Sequence, residues 1–85
     1  MIVYIYHSPN CPKCKLTKRV LEKNGVKVKT VLVEESSPLI NKFRKLGYKS
    51  FPVVQVKDTD GNLVTEWTDF RKDKITEVIK EKETF

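Results

Sequence analysis

Between Tyr6 and Leu16 the chain switches from a strand-like pattern to a helix-like one, and both of its cysteines sit on the joint. Before the joint, Ile2-Val3-Tyr4-Ile5-Tyr6 is a run of β-branched and aromatic residues, apolar on both faces, as in a buried strand of a parallel pair. After it, from Pro12 onward, Leu16, Val20 and Leu21 fall on one side and Lys15, Lys18, Arg19, Glu22 and Lys23 elsewhere. That spacing predicts a helix stopped by Asn24-Gly25. The two patterns meet in His7-Ser8-Pro9-Asn10-Cys11-Pro12-Lys13-Cys14.

Pro12 suits the first position of a helix, where its missing N–H costs nothing, and this leaves Cys11 as the N-cap with its sulfur near the N–H groups of Lys13 and Cys14. A helix N-terminus carries unpaired N–H groups and a partial positive charge, so a thiolate there is favoured over a thiol. Lys13 and Lys15 add to the effect, and thiols of helix-terminal Cys-x-x-Cys sites have pKa values of roughly 3.5 to 7.5. Cys11 is therefore the candidate nucleophile. Cys14, one turn further and more buried, is the candidate resolving thiol.

With 85 residues the chain is read as one small domain, 1–85, and a composition 39% hydrophobic and 33% charged is that of a folded protein. No apolar run reaches membrane-spanning length, and Met1-Ile2-Val3-Tyr4 lacks the basic start and small-residue cleavage site of a signal peptide. The expected location is the cytoplasm, where thiols are kept reduced. There a single Cys-x-x-Cys is catalytic or metal-binding more often than a structural staple. The net charge of +6 suits acidic partners. Its positive residues are spread from Lys13 to Lys82, however, and no aromatic-rich strand accompanies them, which argues against nucleic acid.

The remaining pattern continues in alternation. Val26 to Val33 predicts a second strand, and Ser37-Pro38 reads as a cap and first helical residue before Leu39, Phe43 and Leu46, with Gly47 closing the helix. Pro52-Val53-Val54-Gln55-Val56 predicts a third strand that opens on a proline, a residue unable to donate to a sheet ladder. Asp58-Thr59-Asp60-Gly61-Asn62 is a polar turn between Val54 to Lys57 and Leu63 to Trp67, which predicts a hairpin. A last helix runs from about Lys72 to Lys82, apolar at Ile75, Val78 and Ile79. The order is βαβα, then ββ, then α. It predicts an α/β fold in which two parallel strands gain an antiparallel hairpin, giving a four-stranded mixed sheet flanked by three helices.

Cys11-Pro12-Lys13-Cys14 after the first strand, Phe51-Pro52-Val53 before the third, and Trp67-Thr68-Asp69-Phe70-Arg71-Lys72-Asp73-Lys74-Ile75 at the last helix together resemble a glutaredoxin-class member of the thioredoxin superfamily. The resemblance covers nearly the whole chain. It implies a thioredoxin fold, a cis Pro52 beside the cysteines, and exposed backbone at Phe51 and Val53 able to pair with an extended peptide. Glutathione-using glutaredoxins carry a Gly-Gly pair and then acidic residues for the γ-glutamyl ammonium. Here Thr68-Asp69 replaces the glycines and Arg71-Lys72 stands where the acids fall, which repels an ammonium. Trp67, Phe70, Arg71 and Asp73 instead match the Trp-Ser-Gly-Phe-Arg-Pro-Asp signature of NrdH-redoxins, with Thr68, Asp69 and Lys72 departing from it. That similarity implies a monomeric electron carrier with no bound cofactor. It would be re-reduced by NADPH through thioredoxin reductase and would feed ribonucleotide reductase, with glutathione as the alternative electron source.

Plainer roles compete for several of these residues. His7, Cys11 and Cys14 are zinc-type ligands, but a closed site needs a fourth from Asp or Glu. His7 reads first as a loop residue and second as a base for Cys11. Tyr6 either lines the site or fills the core. Trp67 packs first and touches a partner second, and Arg71 with Asp73 forms a local ion pair bracing the turn. A small metal- or nucleic-acid-binding module is the reading from another class.

Overall fold

A computed structural model describes residues 1–83. The strands are β1 (Ile2–His7), β2 (Val28–Leu32), β3 (Val53–Lys57) and β4 (Leu63–Thr68), and the helices are α1 (Pro12–Lys23), α2 (Pro38–Lys45) and α3 (Lys72–Glu83). They alternate in the predicted order and form one four-stranded sheet in the order β2-β1-β3-β4. β1 pairs with β2 in parallel, Val3 opposite Val28, and with β3 antiparallel, Ile5 opposite Val54. β3 and β4 form the hairpin, with Val54 opposite Trp67. Asp58 closes it by accepting the N–H groups of Asp60 and Asn62, each at 2.9 Å.

Side chains alternate across a strand, so each face of the sheet receives its own set. On one face Val3, Ile5, Val54, Val56 and Trp67 pack with Leu21 of α1 and with Ile75 and Val78 of α3. On the other, Val53 and Val33 meet Phe43 of α2, with Tyr6, Leu39, Ile40, Tyr48 and Phe51 closing round them. Each fully buried aliphatic side chain contributes about 1.5–3 kcal/mol, which holds the helices on the sheet and fixes the end of β1 from which the cysteine loop leaves.

Local chemistry sets the helix ends. Ser37 caps α2 by accepting the Leu39 N–H at 3.2 Å, with Pro38 at the first position. Gly25 and Gly47 follow α1 and α2 with φ of +77° and +83°, a region that costs glycine nothing.

Two inward stripes differ from the sequence reading. Leu16 and Leu46 are exposed, and the residues turned inward are Cys14, Thr17 and Leu21 on α1 and Phe43 on α2, with Leu39 and Ile40 half-buried. Positions 14, 17 and 21 keep the helical spacing, and Thr17 satisfies its hydroxyl by donating to the Lys13 carbonyl at 2.8 Å. Strand bounds also move: β2 is shorter than Val26 to Val33, β3 begins after Pro52 rather than on it, and β1 and β4 each run one residue further. Val26 and Val33, outside β2, are nonetheless buried.

Candidate active site

The loop from β1 turns at Asn10, whose φ of +53° asparagine tolerates better than most residues. Cys11 follows in extended conformation as the N-cap of α1, with Pro12 at the first helical position. Its Sγ accepts the Cys14 N–H at 3.2 Å, and its carbonyl accepts the Lys15 N–H at 3.2 Å. The sulfur therefore sits at the positive end of the helix, held by Cys14 N–H. Cys11 and Cys14 are joined as a disulfide, Cα atoms 5.3 Å apart. Cys11 is half-buried and Cys14 is 4% exposed, so attack from outside meets the Cys11 sulfur first.

Beside the pair lies an open groove of about 480 Å³ lined by His7, Pro9, Cys11, Lys15, Lys18 and Leu32. His7 is the last residue of β1, and its Nδ1 lies 3.3 Å from the Ser8 carbonyl. Among the described residues no group of three or more His, Cys, Asp or Glu is arranged to hold a metal ion.

The segment before β3 lies at the same end of the sheet, with Val53 opposite Tyr6. The Phe51-Pro52 bond is cis, and Pro52 is buried. Phe51 is half-buried against Phe43, whereas Val53, expected to expose its backbone, is instead buried inside the sheet between Tyr6 and Thr68. Tyr6 stands edge-on to Phe43 at 5.5 Å, and burial, then the charges of Tyr4 and Glu66, push its phenol up. Tyr6 and Val53 thus belong to the aromatic face of the sheet.

The turn between β4 and α3 completes the surroundings. Trp67 is buried on the aliphatic face, and its Nε1 has no partner among the described residues. Phe70 is half-buried against the same cluster. Arg71 grips Asp73 with two hydrogen bonds, Nε to Oδ1 at 3.1 Å and Nη2 to Oδ2 at 2.8 Å, as the spacing suggested. The guanidinium holds the Asp73 carboxyl below its ordinary value, and the carboxylate raises Arg71.

Asp69 is the residue that sequence reasoning missed. Its φ is +69°, its N–H donates to the Pro52 carbonyl at 2.8 Å, and its Oδ1 takes the Phe70 N–H at 2.7 Å and the Lys13 ammonium at 3.0 Å. The Lys13 ammonium, then the Phe70 N–H, hold its carboxyl below the ordinary range. A signal existed: the related signature has glycine here, which marks a left-handed backbone that Asp can also adopt. Its pairing with Lys13, far away in sequence, left no local trace.

Solved structures share this fold well beyond close relatives. Thioredoxin f2 of Chlamydomonas reinhardtii superposes with a TM-score of 0.62 over 95% of this chain and 77% of its own at 21% identity, which defines a thioredoxin fold. Within that fold the comparisons narrow. The glutaredoxin family model matches residues 3–60. The glutaredoxin-like protein NrdH of Salmonella typhimurium is 32% identical over 88% of this chain and 85% of its own length. The NrdH-redoxin of Escherichia coli, described as having a thioredoxin-like activity profile, superposes with a TM-score of 0.76 at 28% identity, covering 92% and 95% of the two chains. The chain belongs to the glutaredoxin family of thiol-disulfide oxidoreductases, in its NrdH-like branch.

Proposed function

We propose that this protein is a cytoplasmic dithiol electron carrier that reduces protein disulfides, that of ribonucleotide reductase foremost, and is re-reduced by thioredoxin reductase. Residues 1–85 act in this reading as one monomeric domain with no bound cofactor. The observation that carries the choice of electron donor is the state of the β4–α3 turn. Arg71 and Lys72 are exposed there, and the Asp73 carboxylate is taken up by Arg71, so the turn offers a γ-glutamyl ammonium repulsion rather than a free carboxylate. The thioredoxin-like profile of the Escherichia coli relative supports the same choice.

The mechanism is two successive exchanges. The Cys11 thiolate attacks one sulfur of the substrate disulfide; a Cys11–substrate bond forms, the substrate bond breaks, and the departing sulfur leaves as a thiolate that takes a proton. Cys14 then loses its proton and attacks Cys11 Sγ, which closes the Cys11–Cys14 bond and expels the second substrate thiolate. Two electrons have passed to the substrate, and two from NADPH, with two protons, reopen the bridge through the reductase. In this reading Phe51, with Phe70 and Arg71 of the β4–α3 turn, forms the surface against which the substrate chain lies, over the buried Pro52. Tyr6, Val53 and Trp67 support that surface from within, and Pro12, Lys13 and Asp73 shape its rim.

The test is a coupled NADPH assay of the reduced substrate with either thioredoxin reductase or glutathione plus glutathione reductase as the donor. Turnover at least tenfold faster with thioredoxin reductase is expected. Faster turnover with glutathione makes the protein a glutathione-dependent glutaredoxin.

A further inference from the structure

We infer that Asp69 is a positioning residue for the dithiol: by holding the Lys13 ammonium it limits how strongly that cation favours the Cys11 thiolate, and so sets the reduction potential. The inference deepens the dithiol-carrier reading above and rests on it.

The argument starts from how firmly Asp69 is placed. Its backbone N–H is anchored on the Pro52 carbonyl, and its Oδ1 already accepts the Phe70 N–H, both independently of Lys13. The carboxylate is therefore a fixed point, and the long lysine side chain comes to it. Lys13 lies two residues beyond the N-capping Cys11, in the first turn of the same helix. The ion pair consequently spans from the cysteine helix to the turn that carries Arg71, with the Pro52 carbonyl bonded to the same anchor residue. One residue thus ties the cysteine helix, the Pro52 segment and the β4–α3 turn together.

Lys15 and Lys18 of α1 and His7 at the end of β1 line the groove with Cys11, Lys13 lies in the first helical turn beside it, and Asp69 of the turn is paired to Lys13. Apart from Asp69 and Cys11 itself, every one of these is cationic or, for His7, able to become so. An ammonium 3.0 Å from a carboxylate acts on a third charge as a dipole rather than as a full unit charge, so its pull on the thiolate falls. Removing the carboxylate restores that pull. The thiolate then gains, the Cys11 pKa drops, the reduced form is stabilised, and the dithiol becomes more oxidising. Both side chains are partly open to solvent, which keeps the effect modest.

Asp69→Asn and Asp69→Gly test this, because Asn and Gly both accept the left-handed backbone of position 69. Two quantities are read on the full chain: the Cys11 thiolate titration by ultraviolet absorbance, and the equilibrium of the dithiol against a dithiothreitol redox buffer. Each variant is expected to raise the thiol acidity and the oxidising equilibrium constant about threefold, equivalent to about 14 mV at 29.6 mV per tenfold. In a Lys13→Gln background the same Asp69→Asn change should produce less than half of that shift. A change in folding of the turn alone would not vanish with Lys13. An unchanged titration and potential in the Asp69 variants, or an equal shift with and without Lys13, overturns the inference. Failure of the wild-type protein to reduce insulin disulfides with dithiothreitol overturns the underlying carrier reading instead, so the two failures are told apart.

Discussion

Along the inward face of α1 the side chains Cys14, Thr17 and Leu21 are buried, whereas the β4–α3 turn, tied to the same helix through Lys13, carries Asp69 and the Arg71–Asp73 pair at the surface. The first region takes its position from packing on an aliphatic core. The second takes its position from Asp69 at positive φ, its bond to the Pro52 carbonyl, and solvent-screened charges. The contrast matches their tasks. Atoms that form and break bonds need fixed geometry, which close packing supplies. Atoms that tune charge or meet partners sit where water weakens each interaction, so they can vary without unfolding the domain.

Substitutions on the two sides should therefore behave differently. The largest effect falls on the chemistry itself: with Cys14→Ser, turnover of a protein disulfide should drop to the uncatalysed rate while a Cys11 mixed disulfide accumulates, visible by mass spectrometry. Full turnover by that variant would remove Cys14 from the resolving role. Next comes packing, where Leu21→Ala should cost about 2–5 kcal/mol of unfolding free energy and Leu16→Ala, one turn away but exposed, less than about 0.5 kcal/mol. Equal losses in denaturant titrations would mean that the inward stripe of α1 has been misplaced.

The smallest effect concerns the charged side and appears with pH. The Asp69 and Asp73 carboxyls lie below their ordinary value of 3.8 in the folded protein. A carboxyl with a depressed folded pKa contributes stability that is fully present above the unfolded pKa and is lost as pH falls through the folded one. The contribution of these two pairs to melting temperature should accordingly be constant near neutrality and fall away below about pH 4. Asp69→Asn combined with Asp73→Asn should flatten that part of the acid decline. An unaltered acid profile would show that the turn draws nothing from its ion pairs.

Much of this architecture was readable because its causes are local. Proline at the first helical position, serine or cysteine at the cap and glycine after the last turn act through their own backbone geometry, and all of them stand where expected around α1 and α2. The alternation of strand and helix patterns, the hairpin at Asp58 to Asn62 and the cysteine joint are local in the same sense. Thr17 and Leu16 were harder to order, since hydrophobicity favours leucine inward while the axis set by Cys14 and Leu21 turns threonine inward. Trp67, read first as packing and second as a partner contact, is set in the core by its register opposite Val54.

Spacing and residue type alone were enough to put a cysteine at the mouth of a helix, after a strand and with a second cysteine one turn behind, because a helix start is specified by the few residues that form it. Which charges would surround that sulfur was decided only when the chain closed. Lys13 and Asp69 become neighbours because β1 and β3 pair in the middle of the sheet, and the hairpin then returns β4 to the same end. Electrostatic attraction acts through space and not along the chain, so a contact made by sheet pairing has no signature at either of its two positions.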